Sequence, residues 1–280
     1  MRLKIIFSLL FIFVAESVMA QCSSNYSALV FDDKNNHILF EQAADKIIYP
    51  ASLTKVMTAY LVFEALESNH LKLSQHITIS ANAQDVGNVN KINTLKLREG
   101  DRITVEDALK GMLVKSFNEN AVALAEAVAG SEWYFAQMMN KKAAELKMNN
   151  TNFRNSSGLH EEGHYTTNYD LARLVNALEK NFPQYRKYFS LKEFGYNGAK
   201  FLNSNHLLFD YKGVDGFKTG FTTAAGFNLI ASAKQDVARV NVILTGCESY
   251  QKRDEHVKIL LDEGFKEIEH KNSEAIVVLK

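Results

Sequence analysis

Three short motifs able to do covalent chemistry lie far apart in this 280-residue chain. In the first, Lys55 follows Ser52 by three residues, so on a helix its amine can reach the hydroxyl. Such a base is needed because a serine hydroxyl is by itself a poor nucleophile. In the second, Ser116 and Asn118 can relay a proton and bind an amide. The third, residues 218–220 (KTG), supplies a positive charge, a hydroxyl and an unobstructed backbone. Together the motifs predict a serine acyl-transfer site.

The order and contexts of the motifs carry this prediction, because the first two are individually common. The chain has a second Ser-x-x-Lys at residues 249–252 and a second Ser-x-Asn at residues 23–25. Such patterns arise by chance about once in a chain of this size. However, Ser52 opens an apolar helical run, Ser116 lies between two helical runs, and the Lys-Thr-Gly segment precedes a strand-like stretch. These contexts favour one composite site over three unrelated tripeptides.

The three motifs in this order are a signature of class A β-lactamases and penicillin-binding proteins. Further segments narrow the resemblance. From about residue 26 to about residue 265, the chain resembles the serine-type D-Ala-D-Ala carboxypeptidases, which are the low-molecular-mass penicillin-binding proteins. The segments that carry the resemblance are residues 50–55 (PASLTK), 155–159 (NSSGL), 166–172 (TTNYDLA), 203–208 (NSNHLL) and 214–220 (VDGFKTG).

The resemblance implies an α+β fold of the β-lactamase and DD-peptidase type. This fold has a five-stranded antiparallel sheet with flanking helices and an all-helical subdomain, and the active site lies in the cleft between them. We expect the sheet-containing part at residues 21–66 and 206–280, with the helical insertion at residues 67–205.

The pattern of apolar residues predicts a matching order of elements. Strands are predicted at residues 26–31, 38–41, 217–221, 227–233 and 237–244, with a weaker strand candidate at 275–279. Helices are predicted from Ser52 to Leu66 and over residues 254–264, and helices dominate in between. Helix N-caps are predicted at Thr104, Ser131 and Thr167.

The resemblance also implies a role for each motif residue. Ser52 would be the nucleophile, Lys55 its base, and Ser116 the relay that carries the proton to the leaving amine. The backbone N–H groups of Ser52 and Phe221 would form the oxyanion hole. The position of Arg253 after Lys218 matches a carboxylate-binding arginine of the family, although it also suits an exposed charge at a helix start. The implied substrate-binding residues are Asn118, Lys218, Thr219, Gly220, Phe221 and Arg253.

These roles correspond to a serine-type D-alanyl-D-alanine carboxypeptidase. It would remove the terminal D-Ala from peptidoglycan stem peptides through an acyl-enzyme, and β-lactam antibiotics would acylate it covalently. The resemblance implies no cofactor and no metal. Cleavage of peptidoglycan cross-links by a D,D-endopeptidase activity stays open.

Two departures from the family pattern bear on substrate choice, because either phenylalanine could reshape the cleft. Phe117 stands where a small residue is usual, and Phe221 where close relatives often carry histidine.

Three other functions fit the sequence less well. Residues 160–164 (HEEGH) match the H-E-x-x-H pattern of zinc proteases, which binds zinc only on a helix, whereas the glycines nearby indicate a loop. Turnover of β-lactams by a β-lactamase is disfavoured because the sequence between Asn118 and Lys218 contains no Glu-x-x-Leu-Asn segment. A non-catalytic peptidoglycan-binding role is disfavoured because Ser52 and Lys55 are both intact.

The N-terminus has the pattern of a signal peptide at residues 1–20. Arg2 and Lys4 precede an apolar core, and Ala20 provides a small residue at the cleavage position. Export to the periplasm or cell envelope is therefore expected, with an uncleaved anchor as the alternative. The 32 basic and 32 acidic residues cancel, and no basic stripe favours nucleic acid. We expect no C-terminal membrane anchor, and we expect the tail at residues 268–280 to be too short for a second domain.

The two cysteines raise the question of a disulfide in an exported protein. In the sheet implied by the resemblance, the first strand lies antiparallel to the last strand. Cys22 would then come just before the first strand and Cys247 just after the last, so the two would be neighbours. We predict a disulfide between them, with two unpaired thiols as the alternative.

Overall fold

The computed structural model describes residues 26–34, 37–89 and 94–278, with side chains described up to residue 271. The predicted signal peptide at residues 1–20 lies outside the described residues, and so does Cys22. Cys247 is buried at the end of the last strand. Export and the Cys22–Cys247 disulfide therefore stay predictions.

Along the described residues, two strands come first, a mainly helical stretch with short strands follows, and three longer strands precede a last helix. The 3₁₀ helices are Ala51–Thr54 and Pro183–Tyr188. The strands are β1 (Ser27–Asp32), β2 (Ile38–Gln42), β3 (His76–Thr78), β4 (Arg102–Thr104), β5 (Glu193–Tyr196), β6 (Ala199–Leu202), β7 (Val214–Thr222), β8 (Gly226–Gln235) and β9 (Ala238–Cys247). The α-helices are α1 (Lys55–Glu67), α2 (Ala81–Val89), α3 (Val105–Val114), α4 (Asn118–Ala129), α5 (Glu132–Glu145), α6 (Asn168–Asn181), α7 (Leu207–Asp210) and α8 (Tyr250–Val278).

Five of these strands form one antiparallel sheet in the order β2-β1-β9-β8-β7. β1 pairs with β9 in a register that sets Ser27 opposite Thr245 and Asp32 opposite Val240, so the first and last strands of the sheet along the sequence are neighbours. β7 pairs with β8 at the edge. This arrangement confirms the α+β fold and the antiparallel pairing of the first and last strands.

The sheet separates two cores because successive residues of a strand face opposite sides. On one face, Leu29 and Ile243 join the large core formed by the helices between β2 and β7. On the other face, Val30 and Leu244 pack with α8, whose Val257 belongs to the same cluster. Most of the helices therefore lie against one face of the sheet, while α8 covers the other.

The structure departs from the predicted elements in three places. The hairpin of β3 and β4 and that of β5 and β6 were not predicted, because strands of three or four residues carry too little alternation to be recognised. The closing helix α8 begins before and ends after the predicted residues 254–264. The strand candidate at residues 275–279 is wrong as far as residue 278, because α8 continues through it.

The predicted helix starts are confirmed. The hydroxyl of Thr104 accepts a hydrogen bond from the backbone N–H of Asp107, that of Ser131 from Tyr134, and that of Thr167 from Asp170. Each bond satisfies an N–H group that has no partner within its own helix. In the described part of the chain, none of the helices combines the length and the apolar character needed to span a membrane.

Two buried contacts join the helical part to the sheet near the first motif. Asn168, at the start of α6, donates to Ser27 Oγ at 2.8 Å and to the carbonyl of Ile243 at 3.3 Å. Gly158 lies in a loop pressed against the 3₁₀ helix Ala51–Thr54, where an added Cβ would come within 1.8 Å of the Ala51 carbonyl oxygen. Gly158 also has a φ of 80°, which favours glycine.

We expect Gly158→Ala to destabilise the protein by about 3 kcal/mol or more, because the clash with Ala51 adds to the cost of a left-handed backbone. Gly130→Ala is the matched control. Its φ is 78°, yet an added Cβ would meet no atom of the described structure within 4 Å. This control should lose only about 1–2 kcal/mol. Urea unfolding of both variants measures the difference, and equal losses would contradict the assigned contact.

Candidate active site

Ser52 lies in the 3₁₀ helix Ala51–Thr54, directly before α1. The backbone leading into this turn is held by the sheet, since Asn228 of β8 donates to the carbonyl oxygens of Tyr49 at 3.2 Å and Pro50 at 3.4 Å. Ala51 has a φ of 50°, so the residue before Ser52 adopts a left-handed conformation. The turn therefore holds Ser52 at the junction of the sheet and the helices.

Lys55 brings its amine to Ser52 from the first residue of α1. Its Nζ atom lies 3.0 Å from Ser52 Oγ, 2.8 Å from Asn118 Oδ1 and 2.6 Å from the carbonyl oxygen of Ser157. A charged amine has three hydrogens for these three acceptors. A neutral amine keeps two hydrogens, which Asn118 and Ser157 can accept, and its lone pair can then face the Ser52 hydroxyl. The arrangement suits a base.

Burial and nearby positive charge lower the pKa values of both Lys55 and Lys218. Both side chains are buried, with 0% and 1% exposure. Burial holds the pKa of Lys55 well below its usual value, and the charge of Lys218 lowers it further. Burial, followed by the charges of Arg253 and Lys115, lowers the pKa of Lys218 to about 7. The charge of Lys218 thus favours the neutral form of Lys55, an effect that the carboxylates of Glu119 and Glu132 oppose.

The second motif spans the end of one helix and the start of the next. Ser116 lies between α3 and α4 with a φ of 69°. Its Oγ atom is buried, and no hydrogen-bond partner for it occurs among the described residues. Asn118 begins α4, and since its Oδ1 atom accepts from Lys55, its amide N–H₂ group is left to donate to a ligand.

The third motif lies on β7, at the edge of the sheet beside Ser52. A Cβ added to Gly220 would lie 3.0 Å from the carbonyl oxygen of Pro50 and 3.2 Å from the nitrogen of Ser52. Glycine thus lets β7 approach the turn of Ser52 backbone to backbone. The amine of Lys218 donates to the carbonyl of Thr219 at 3.0 Å, and Thr219 lines the open cavity above the strand.

A cavity of about 1430 Å³ connects the three motifs. Its lining includes Ser52, Ser116, Thr219, Gly220, Phe221 and Arg253. Arg253, near the start of α8, is buried and donates from Nε and a terminal nitrogen to one oxygen of Asp254. The structure thus places Arg253 in the same cavity as Ser52, and not as an exposed charge on the helix surface.

The two phenylalanines that depart from the family pattern occupy different environments. Phe117 is buried and packs its ring edge against Phe201, with 5.2 Å between ring centroids, so it lies behind the residues that line the cavity. Phe117 is not among the residues that line the cavity, because its ring is buried in a small apolar cluster with Val114 and Phe194. Phe221 is 53% exposed, lines the cavity and stacks on Phe227 at 4.3 Å.

The H-E-x-x-H segment at residues 160–164 forms a loop, as expected, and its two histidines have separate surroundings. His164 is buried, and its Nε2 atom lies 2.9 Å from the hydroxyl of Thr54. Burial, with Arg154 and His160 nearby, lowers the pKa of His164 to about 4, so it is neutral at pH 7. His160 instead packs edge-on against the ring of Tyr49.

Sequence reasoning missed several residues that complete the site. The carbonyl of Ser157 holds the Lys55 amine, and Glu132 in turn holds Ser156 beside it. Asn228 supports the turn of Ser52. These contacts join residues 24 to 179 positions apart, so no local pattern reveals them. The NSSGL segment that carries the resemblance was the available signal for the Ser157 contact.

Comparison with known proteins identifies relatives of this chain. The peptidase S11 family model, described as D-alanyl-D-alanine carboxypeptidase, matches residues 15–249. D-alanyl-D-alanine carboxypeptidase DacF of Bacillus subtilis (strain 168) is 35% identical over 252 residues, which cover 87% of this chain and 62% of the relative. DacC of Escherichia coli (strain K12), of the same description, is 36% identical over 258 residues, which cover 91% and 64% respectively. The chain thus spans less than two thirds of the length of these relatives.

Comparison with solved structures also finds penicillin-binding proteins. Penicillin binding protein 5 from Haemophilus influenzae superposes with a TM-score of 0.82 at 34% identity, covering 86% of this chain and 70% of that one. Penicillin-Binding Protein D2 from Listeria monocytogenes, solved in its ampicillin-bound form, superposes with a TM-score of 0.74 at 31% identity, covering 85% and 96%. With a family model over most of its length and these relatives, the chain belongs to the D-alanyl-D-alanine carboxypeptidase family, peptidase family S11.

Proposed function

We propose that this protein is an exported serine-type D-alanyl-D-alanine carboxypeptidase. It removes the terminal D-Ala from peptidoglycan stem peptides through an acyl-enzyme on Ser52, and β-lactam antibiotics acylate the same residue. The observation that carries the proposal is the contact of 3.0 Å between Ser52 Oγ and the buried amine of Lys55, in a cavity that β7 also lines. The family of the chain and the ampicillin-bound Listeria monocytogenes relative support it.

In the acylation step, neutral Lys55 takes the proton of Ser52 as Oγ attacks the penultimate D-Ala carbonyl. The carbonyl oxygen becomes an oxyanion, which the backbone N–H groups of Ser52 and Phe221 stabilise. Their positions at the contact of the turn with β7 support this role. When the peptide bond breaks, the leaving amine of D-Ala receives a proton through Ser116. The buried hydroxyl of Ser116, unpartnered among the described residues, suits this relay.

Deacylation uses a water molecule as the nucleophile. The water attacks the ester on Ser52, Lys55 accepts a proton of the water and passes it to Ser52 Oγ, and the ester bond breaks to give the peptide acid and the serine hydroxyl. Asn118 donates to an amide carbonyl of the substrate. A β-lactam follows the same first step, but its leaving nitrogen stays tethered to the acyl group and can obstruct the water.

The terminal carboxylate of the substrate is bound by positive charge at the third motif. Lys218 and Arg253 supply the charge, and Thr219 supplies a hydroxyl in the cavity. The effect of Arg253 on the pKa of Lys218 supports their proximity. Such a site selects peptides that end at the residue after the cleaved bond.

We expect Ser52→Ala to abolish covalent labelling by a fluorescent penicillin, because the attacking oxygen is removed while the fold is retained. Ser249→Ala is the matched control, since Ser249 begins the second Ser-x-x-Lys segment of the chain. Gel fluorescence with intact-protein mass spectrometry measures the adduct. Labelling of Ser52→Ala at the level of the unmodified protein would contradict the assignment.

Lys55→Ala should slow penicillin acylation by about 10²–10⁴-fold, because the base is lost while the oxyanion donors stay. Lys252→Ala is the control, as the amine of Lys252 on α8 pairs with the exposed carboxylate of Glu248, which lies just before that helix. Stopped-flow acylation rates separate the two variants. A loss of less than about threefold for Lys55→Ala would assign the base elsewhere.

The pH profile of kcat/KM on a D-Ala-D-Ala peptide should be bell-shaped, because Lys55 must lose its proton and Lys218 must keep its own. The charge of Arg253 lowers the pKa of Lys218, so Arg253→Ala should raise that pKa and move the alkaline limb to higher pH. Arg253→Ala should also weaken peptide turnover more than penicillin acylation. Lys252→Ala should leave the limb in place. If the alkaline limb of Arg253→Ala stays at the pH found for the unmodified protein, Lys218 does not set that limb.

A further inference from the structure

The loop around Ser156 and Ser157 supplies two consecutive backbone acceptors to α1. The carbonyl of Ser157 accepts from Lys55 Nζ at 2.6 Å, and that of Ser156 accepts from the hydroxyl of Thr58 at 2.6 Å. Both serines are buried. Lysine has a flexible four-carbon side chain, so fixed acceptors decide where its amine lies. The position of this loop therefore determines how the Lys55 amine faces Ser52.

Glu132 holds the opposite side of the same loop. One of its carboxylate oxygens, Oε1, accepts from the backbone N–H of Ser156 at 3.0 Å and from the Ser156 hydroxyl at 2.6 Å. Its other oxygen, Oε2, accepts from Asn82 at 3.2 Å. Hydrogen bonds to a charged acceptor are stronger than those between neutral groups. Glu132 is also the first residue of α5, where the helix end favours a negative charge.

The loop is confined from the side of Ser52 as well. Gly158 already touches the backbone of Ala51 so closely that a Cβ there would overlap the carbonyl oxygen. Ser156 and Ser157 are thus held between Glu132 on α5 and the 3₁₀ helix that carries Ser52. Without Glu132, the backbone N–H and hydroxyl of a fully buried serine would lack this acceptor, and the loop would have to shift to find another.

We propose that Glu132 is a positioning residue for the proton transfer between Ser52 and Lys55, acting through Ser156 and the carbonyl of Ser157. The proposal rests on the function proposed above. It adds a residue on α5 that belongs to none of the three motifs and does not line the cavity of the site.

The charge of Glu132 has a second consequence for the base. The charged groups that act on Lys55 are Lys218 on β7, Glu119 on α4 and Glu132 on α5. Burial and Lys218 lower the pKa of Lys55, whereas the two carboxylates raise it. Removing the charge of Glu132 therefore lowers this pKa further. Lys55 then becomes neutral at lower pH, and the acid limb of the acylation profile moves the same way.

Two substitutions distinguish the positioning role of Glu132 from the effect of its negative charge on Lys55. Glu132→Ala removes both, while Glu132→Gln keeps an amide oxygen that can accept from Ser156. Glu126→Ala and Glu126→Gln are matched controls, because Glu126 is a carboxylate on the preceding helix that also accepts from Asn82. Each protein is mixed with a penicillin over a range of pH in a stopped-flow instrument. The acylation rate constant, the dissociation constant of the non-covalent complex and the thermal midpoint are measured.

We expect Glu132→Ala to lower the acylation rate constant by about tenfold or more while the dissociation constant changes less than about twofold. Glu132→Gln should recover most of that rate and move the acid limb to lower pH. The Glu126 variants should keep the rate and the limb of the unmodified protein. If Glu132→Ala is too unstable to assay, the pH of the acid limb in Glu132→Gln still tests the inference.

Two results would overturn the inference. One is an acylation rate in Glu132→Ala equal to that in Glu126→Ala. The other is an acid limb in Glu132→Gln that coincides with that of the unmodified protein. Failure of the unmodified protein to be acylated would instead overturn the proposed function. The two failures are therefore distinguishable in one experiment.

Discussion

The burial of one amine, that of Lys55, constrains the whole structure around the site. Transfer of an ammonium group from water into a protein interior is costly unless the group is hydrogen-bonded or loses its proton. Three elements meet this requirement by each bringing an oxygen to the amine: the turn of Ser52, the start of α4 with Asn118, and the loop with Ser157. The packing of the helical part and the activation of the serine therefore depend on the same contacts, since a displaced element would leave a buried donor without its acceptor.

Two lysines of ordinary chemistry acquire different properties from their surroundings. Lys55 faces oxygen acceptors and the charge of Lys218, which favours its neutral form. Lys218 lies nearer to the edge of the sheet, and its pKa of about 7 reflects burial together with Arg253 and Lys115. Because the two amines have different neighbours, Lys55 can act as the base of the proposed reaction while Lys218 attracts a carboxylate. In the proposed reaction, the pair therefore divides acid–base work from anion binding.

Short-range patterns predicted much of the fold, while long-range contacts did not follow from them. Alternating residues located β1, β8 and β9, and side-chain caps located the starts of α3, α5 and α6, because both signals lie within a few residues. The spacing of the first motif likewise predicted the contact between Ser52 and Lys55, which measures 3.0 Å. The support of Ser156 by Glu132 and the pairing of Thr54 with His164 join residues distant in sequence, so only the folded chain reveals them. Phe117 shows the same limit, since its neighbour Phe201 lies on a hairpin that was not predicted.

Backbone groups, more than side chains, shape the reacting centre. Gly158 and Gly220 approach the turn of Ser52 from the loop and from β7, and the nearest atom that an added Cβ would meet is a backbone oxygen of Ala51 or Pro50, respectively. The acceptor on Ser157 and the proposed oxyanion donors are backbone groups too. No single substitution can delete a carbonyl, so variation in sequence acts on these groups only by displacing them. Side chains that hold the backbone from outside the cavity, such as Glu132 and Asn228, are therefore the positions where a substitution reaches the chemistry without contacting the substrate.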